Sequence, residues 1–250
     1  MTTRVLAAGG YRYIPAVSQY SAGVLAETGF RIERARFSRV VPMREGFELI
    51  GQALAAAGRP TAAFCACELR SPKPFTESEF RDFNAVYVET LKRWGLLEGS
   101  DNPVARSNVC PQIDPPSEPG FHAFSYTVAD ADAHKSFVVA GSAEAPEGRG
   151  DYRDHAIARG DVSPEGLRTK ARWVLGEMET RMRTLGVDWP LATATQVYTV
   201  HDFHPFIGEE LVRRGAMRGG VTWHFNRPPV RELEFEMDCR GVSVERVLWV

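Results

Sequence analysis

The chain has 250 residues, 44% of them hydrophobic and 25% charged, with a formal net charge of -2. That is the composition of a folded globular protein with a real core, and it places no lysine-rich or acidic block that would steer the chain to nucleic acid or an anionic membrane. The first residues, MTTRVLAAGGYRYIP, carry no long apolar run, and no run elsewhere reaches the roughly 18 residues of a membrane span, so the cytoplasm is the expected setting.

In chain order, the first predicted helix lies in VPMREGFELIGQALAAAGRP. Phe47, Ile50, Leu54 and Ala57 recur at helical spacing, and Gly58 with Pro60 ends the pattern. TAAFCACEL reads as a buried strand. FTESEFRDFNAVYVETLKRWG then opens with Thr76 and Glu79 in capping-box spacing and closes at Gly95, which predicts a second helix. Strands follow from Asn102 to Pro116 and in FHAFSYTV. After ADADAH (129–134), KSFVVAG reads as a strand, and the Gly-rich and charged APEGRGDYRDHAIARGD as a loop.

Ser163 and Pro164 then start a long helix whose face is lined by Leu167, Ala171, Val174, Leu175, Met178, Met182 and Leu185, up to Gly186. The strand TATQVYTV, a shorter helical stretch near FIGEELVRRG and a closing strand VRELEFEMD complete the chain. A Pro-Pro pair precedes the last strand of each half: Pro115–Pro116 and Pro228–Pro229. The duplicated order predicts an α+β fold of two related units, residues 1–130 and 131–250, each with helices on one face of a mixed sheet.

Four cysteines, Cys65, Cys67, Cys110 and Cys239, are too few for a disulfide scaffold and are expected as reduced, packed thiols. His201 and His204 stand three apart with no third ligand at useful spacing, so no metal site is expected. GSAEAPEGRG lacks the strand-to-helix context of a phosphate loop. One residue stands out: Arg106, a guanidinium in the small and apolar run PVARSNV.

Four motifs, QYSAGV (19–24), FNAVY (83–87), PVARSNV (103–109) and ELEFEMD (232–238), make the chain resemble the RidA (YjgF) family of reactive-intermediate deaminases, carried twice. The resemblance implies a chorismate-mutase-like fold in each unit, trimers with sites between neighbouring units, and metal-free, cofactor-free hydrolysis of a small carboxylate-bearing imine or enamine. It implies that Arg106 holds the substrate carboxylate, to which its planar fork is suited, that Tyr20, Ser21 and Ser107 line the site, and that Asn84 contributes from its helix.

Read without the family, Arg106 could instead pair with Asp114 or Glu118, and Asn84 could be an exposed or capping amide. The family's catalytic glutamate falls on His122 in the first unit and on the strand of Glu234 in the second, while the second unit has Gly219, beside Arg218, where an arginine is due. Either Arg106 and Glu234 form a composite site across an interface, or His122 moves the proton. A catalytically silent carboxylate binder is the alternative to both. Glu232, Glu234, Glu236 and Asp238 alternate with Leu233, Phe235 and Met237, so one strand face carries four acids, which is also the pattern of a solvated outer face.

Overall fold

The computed structural model describes residues 1–250. The first half supplies β1 (Arg4–Leu6), β2 (Tyr11–Ile14), β3 (Gly23–Ala26), β4 (Phe30–Pro42), α1 (Met43–Ala56), β5 (Phe64–Arg70), α2 (Glu77–Arg93), β6 (Ala105–Pro111) and β7 (Gly120–Ala129). The second half supplies β8 (Phe137–Ala143), α3 (Tyr152–His155), α4 (Pro164–Leu185), β9 (Ala194–Tyr198) and α5 (His204–Phe206), which runs into a π-helical turn, Ile207–Val212. Then come β10 (Val221–His224), β11 (Asn226–Arg227), β12 (Glu236–Gly241) and β13 (Val244–Leu248).

Local signals place the helices. Thr76 Oγ1 accepts from the Glu79 N–H, and Glu79 returns its carboxylate to the Thr76 N–H at 2.7 Å, so the capping box forms on α2. Ser163 caps α4 by accepting from the Gly166 N–H, and Gly186 ends it at φ 71°, a left-handed conformation that glycine adopts without strain. All seven apolar positions expected on α4 are buried in one cluster with Phe137, Val139, Val197, Phe235 and Met237. A second cluster joins α1 and α2, through Phe47, Ile50, Leu54, Tyr87 and Leu91, to β4, β5 and β7. Burial of each large apolar side chain stabilises the fold by about 1.5–3 kcal/mol.

The strands form two mixed sheets, in the orders β1-β2-β3-β8-β12-β9-β10 and β11-β6-β5-β7-β4-β13. Within them the paths β4-β7-β5-β6 and β8-β12-β9-β10 are equivalent. In each the first two neighbouring pairs are antiparallel and the last is parallel.

The sheets do not divide the chain at residue 130. The amino-terminal β3 pairs with β8 of the second half, while β11 and β13 pair with β6 and β4 of the first. The expected closing strand VRELEFEMD is strand only from Glu236 onward, and the chain closes on β13 instead.

Polar side chains bridge the two sheets. Ser107 donates to Asp238 at 2.6 Å, and Gln196 lies 3.4 Å from Glu68, which Arg34 of its own sheet holds with two bonds of 2.6 and 2.9 Å. The four cysteines are free and buried, and no helix is long and apolar enough to cross a membrane.

Candidate active site

Arg106 lies on β6, near the edge of its sheet, on the face opposite Ala105 and Ser107. It is 3% exposed, has no carboxylate partner, and its Nη1 makes no hydrogen bond. Asp114 and Glu118, its alternative partners by sequence, are exposed. Instead the guanidinium carbon sits 4.8 Å from the ring centre of Tyr87, 5.0 Å from Tyr20, 5.6 Å from Phe83 and 5.8 Å from Phe80. Three of these rings come from α2, whose capping box fixes where the helix starts. Stacked aromatic faces hold a guanidinium by cation–π attraction while leaving its N–H edge free for a planar anion.

That edge opens on a narrow pocket of about 40 Å³. Tyr20, Phe80, Arg106 and Asn108 line it from the first half of the chain, and Gly141, Ala143, Ala145, Glu147, Tyr152, Pro229, Val230 and Glu236 from the second. Of the two acids that line the pocket, Glu147 is paired with Arg181 and Glu236 has no ion-pair partner. It begins β12, opposite Ala143 and Tyr198, with its carboxyl on the sheet face away from α4. Burial, reinforced by the neighbouring Asp238 and Glu144, pushes its carboxyl well above the usual carboxylate range, against the pull of Arg70 and Arg106. Glu236 therefore holds its proton to higher pH than an ordinary glutamic acid.

The backbone ahead of β12 is fastened from beneath. Glu144 accepts from the Glu234 and Phe235 N–H groups at 2.6 and 3.0 Å, and Lys170, fully buried with it, stands 3.3 Å away. The loop expected at 145–161 supplies Glu147, paired with buried Arg181 at 3.0 Å, and Tyr152, whose N–H donates to Glu77 of α2 at 2.7 Å.

Of the residues expected in the site, Tyr20 and Arg106 meet in this pocket. Glu234 does not line it. It is bound to Arg227 at 2.8 Å and His201 at 2.7 Å, and Glu236, two residues on, takes the place expected of it. The reason is that the strand starts later than the alternation of acids suggested. Glu232 lies near Arg159, ahead of the strand, while Glu236 and Asp238 are buried, so the four acids do not form a solvated face.

His122 also lies elsewhere, with its ring 6.5 Å from that of His224, and burial together with the charge of Arg70 lowers it to about 2, a neutral imidazole. Ser21 donates to the Pro103 carbonyl and Ser107 to Asp238, so both hydroxyls tie the fold together. Asn84 is buried on the inner face of α2 with its Oδ1 unpartnered, but it does not line the pocket. Asn108, Glu147 and Tyr152 were not singled out by the sequence. A lone Asn in a strand and a Glu and Tyr in a Gly-rich loop carry no pattern that marks them.

The sequence pattern of the 2-aminomuconate deaminase CnbZ family matches residues 3–246. A 2-amino-5-chloromuconate deaminase from Comamonas testosteroni is 53% identical over 246 residues, which cover 98% of each chain. The crystal structure of a chorismatase aligns with a TM-score of 0.46 and 12% identity, covering 88% of this chain and 77% of that one. The sequence matches put the chain among the hydrolases that act on C–N bonds. It belongs to the 2-aminomuconate deaminase CnbZ family.

Proposed function

We propose that the pocket between β6 and β12 hydrolyses the amino group of a 2-aminomuconate-type substrate, with Arg106 holding the carboxylate beside the reacting carbon and Glu236 moving the protons. The observation that carries this reading is one pocket lined by both an unpartnered guanidinium nitrogen and a buried carboxyl whose proton affinity is raised.

The steps need no redox change. Glu236 in its acid form protonates the carbon β to the enamine nitrogen, giving an iminium. Water adds to the C–N carbon and returns a proton to the Glu236 carboxylate. The same group then protonates nitrogen, ammonia leaves, and the hydroxyl proton returns to Glu236 as the carbonyl forms. One water is consumed and one ammonia released. An acid whose proton affinity is raised by burial suits each transfer.

Ammonia release from 2-aminomuconate, generated in place, tests the reading. Turnover should be lost in Glu236→Gln while binding of a carboxylate analogue persists. Turnover that survives in Glu236→Gln and vanishes in Glu234→Gln or His122→Gln would refute it. A wild-type chain that binds the analogue and releases no ammonia would favour the silent carboxylate binder.

The RidA-type ancestry of the two halves is part of the same proposal, supported by their equivalent strand paths. So are a homotrimer, drawn from the family resemblance and testable by light scattering, and a reducing cytoplasmic setting, supported by four free buried thiols.

A further inference from the structure

Resting on the reading above, we infer that Asn108 is a second carboxylate anchor, which makes the pocket selective for dicarboxylates. Asn108 is 3% exposed, lines the same pocket as Arg106, and leaves its Nδ2 without a partner. The other end of its amide is occupied, because the buried Ser71 hydroxyl donates to Oδ1 at 2.9 Å. That bond turns the amide so that its NH2 is the free group.

Arg106 and Asn108 are two residues apart on one strand and so project from the same face, with backbones about 6.6 Å apart. The pocket thus presents two buried donor groups in search of acceptors. A monocarboxylate would satisfy Arg106 and leave Asn108 unpaired. A substrate with a carboxylate at each end of a short chain satisfies both.

The two acids that line the pocket are engaged otherwise: Glu147 is paired with Arg181, and Glu236 is the proton carrier. Arg70, level with Val109 on the neighbouring strand, is buried; its Nη2 makes no hydrogen bond and lies 3.9 Å from Glu68, and its charge reaches Glu236. A site built to hydrogen-bond a substrate group discriminates against the analogue that lacks it, because the buried donor is then left unmet.

The test compares muconate with sorbate, six-carbon dienes that differ by one carboxylate, in calorimetric titrations of the full-length protein. Wild type should bind muconate about 10- to 100-fold more tightly than sorbate, the range for one hydrogen bond to a charged group. Asn108→Ala and the similarly sized Asn108→Leu should lose that preference while keeping sorbate affinity, and Arg106→Lys should weaken both ligands. Ser71→Ala, which frees the amide to turn, should lower the preference part way.

A wild type without preference, or an Asn108→Ala or Ser71→Ala protein that keeps it in full, overturns the anchor. An equal loss of both ligands in the Asn108 variants would make the residue structural. A wild type that prefers muconate and yet releases no ammonia from 2-aminomuconate would sink the proposed activity and leave the anchor standing.

Discussion

Gly141 lies directly against the Glu236 carboxyl: a Cβ built on it would overlap Glu236 Oε1 and stand 3.1 Å from the Ser107 Cα. The glycine is there for space, since no unusual backbone angle requires it. Gly141→Ala should therefore push the acid out of its place and reduce kcat by about 100-fold, the usual consequence of an ångström-scale misplacement. Steady-state ammonia release measures it, and a variant with wild-type kcat would show that the Glu236 position is not critical.

Arg106→Lys keeps the charge but loses the fork and the stacking on four rings. An ammonium is also more strongly hydrated and fits poorly among aromatic faces. We expect kcat/KM to fall by about 30- to 150-fold, corresponding to the ~2–3 kcal/mol of a charge-assisted bidentate contact. Most of the change should appear in KM.

The raised Glu236 has a pH signature of fixed sign. A carboxyl whose folded-state affinity for its proton exceeds the unfolded one stabilises the fold fully below the ordinary carboxylate range, and that contribution is lost as pH rises through the folded value. Thermal melts of wild type and Glu236→Gln should diverge with increasing pH, the glutamine variant gaining relative stability on the alkaline side. Turnover by wild type should fall over the same interval as the acid loses its proton. Parallel melting curves at all pH values would contradict the raised affinity.

Lys170→Met strands Glu144 in a fully buried position. Removing one partner of such a pair costs about 3–5 kcal/mol. Because Glu144 also holds the Glu234 and Phe235 N–H groups, the loss should reach the start of β12, and urea midpoints should drop accordingly. Adding Glu144→Gln to the same chain should recover part of the loss, since an amide oxygen still accepts a backbone bond without burying a charge.

Arg106 and Glu236 meet in one pocket of a single chain, although they come from opposite halves of the sequence. Mixing inactive Arg106→Ala chains with inactive Glu236→Gln chains should then restore no ammonia release. Recovery would mean that the working site draws the two residues from different chains.

Much of the helix layout was legible from local chemistry: Thr76 with Glu79, Ser163 with Pro164, and the seven apolar positions of α4 all act within a few residues of one another. Arg106 was legible because a cation in an apolar strand is costly without a purpose. The acid was only half legible. Alternation placed Glu232 to Asp238 on one side, but where the strand begins depends on Glu144, ninety residues away, which catches the backbone at Glu234 and Phe235. The free face of Asn108 depends likewise on Ser71 from another strand. Such facts belong to tertiary pairing and leave no periodic trace.

The exchange of strands between the two sheets makes the halves mechanically interdependent. The six-stranded sheet is completed at both edges by segments synthesised last, β11 and β13, and the seven-stranded sheet at one edge by β1 to β3, which are synthesised first. A nascent chain can thus neither finish one sheet before the other exists nor shed either half intact. A nick near residue 130 should leave two fragments that stay clasped together and purify as one, and neither should hold a stable fold once they are drawn apart.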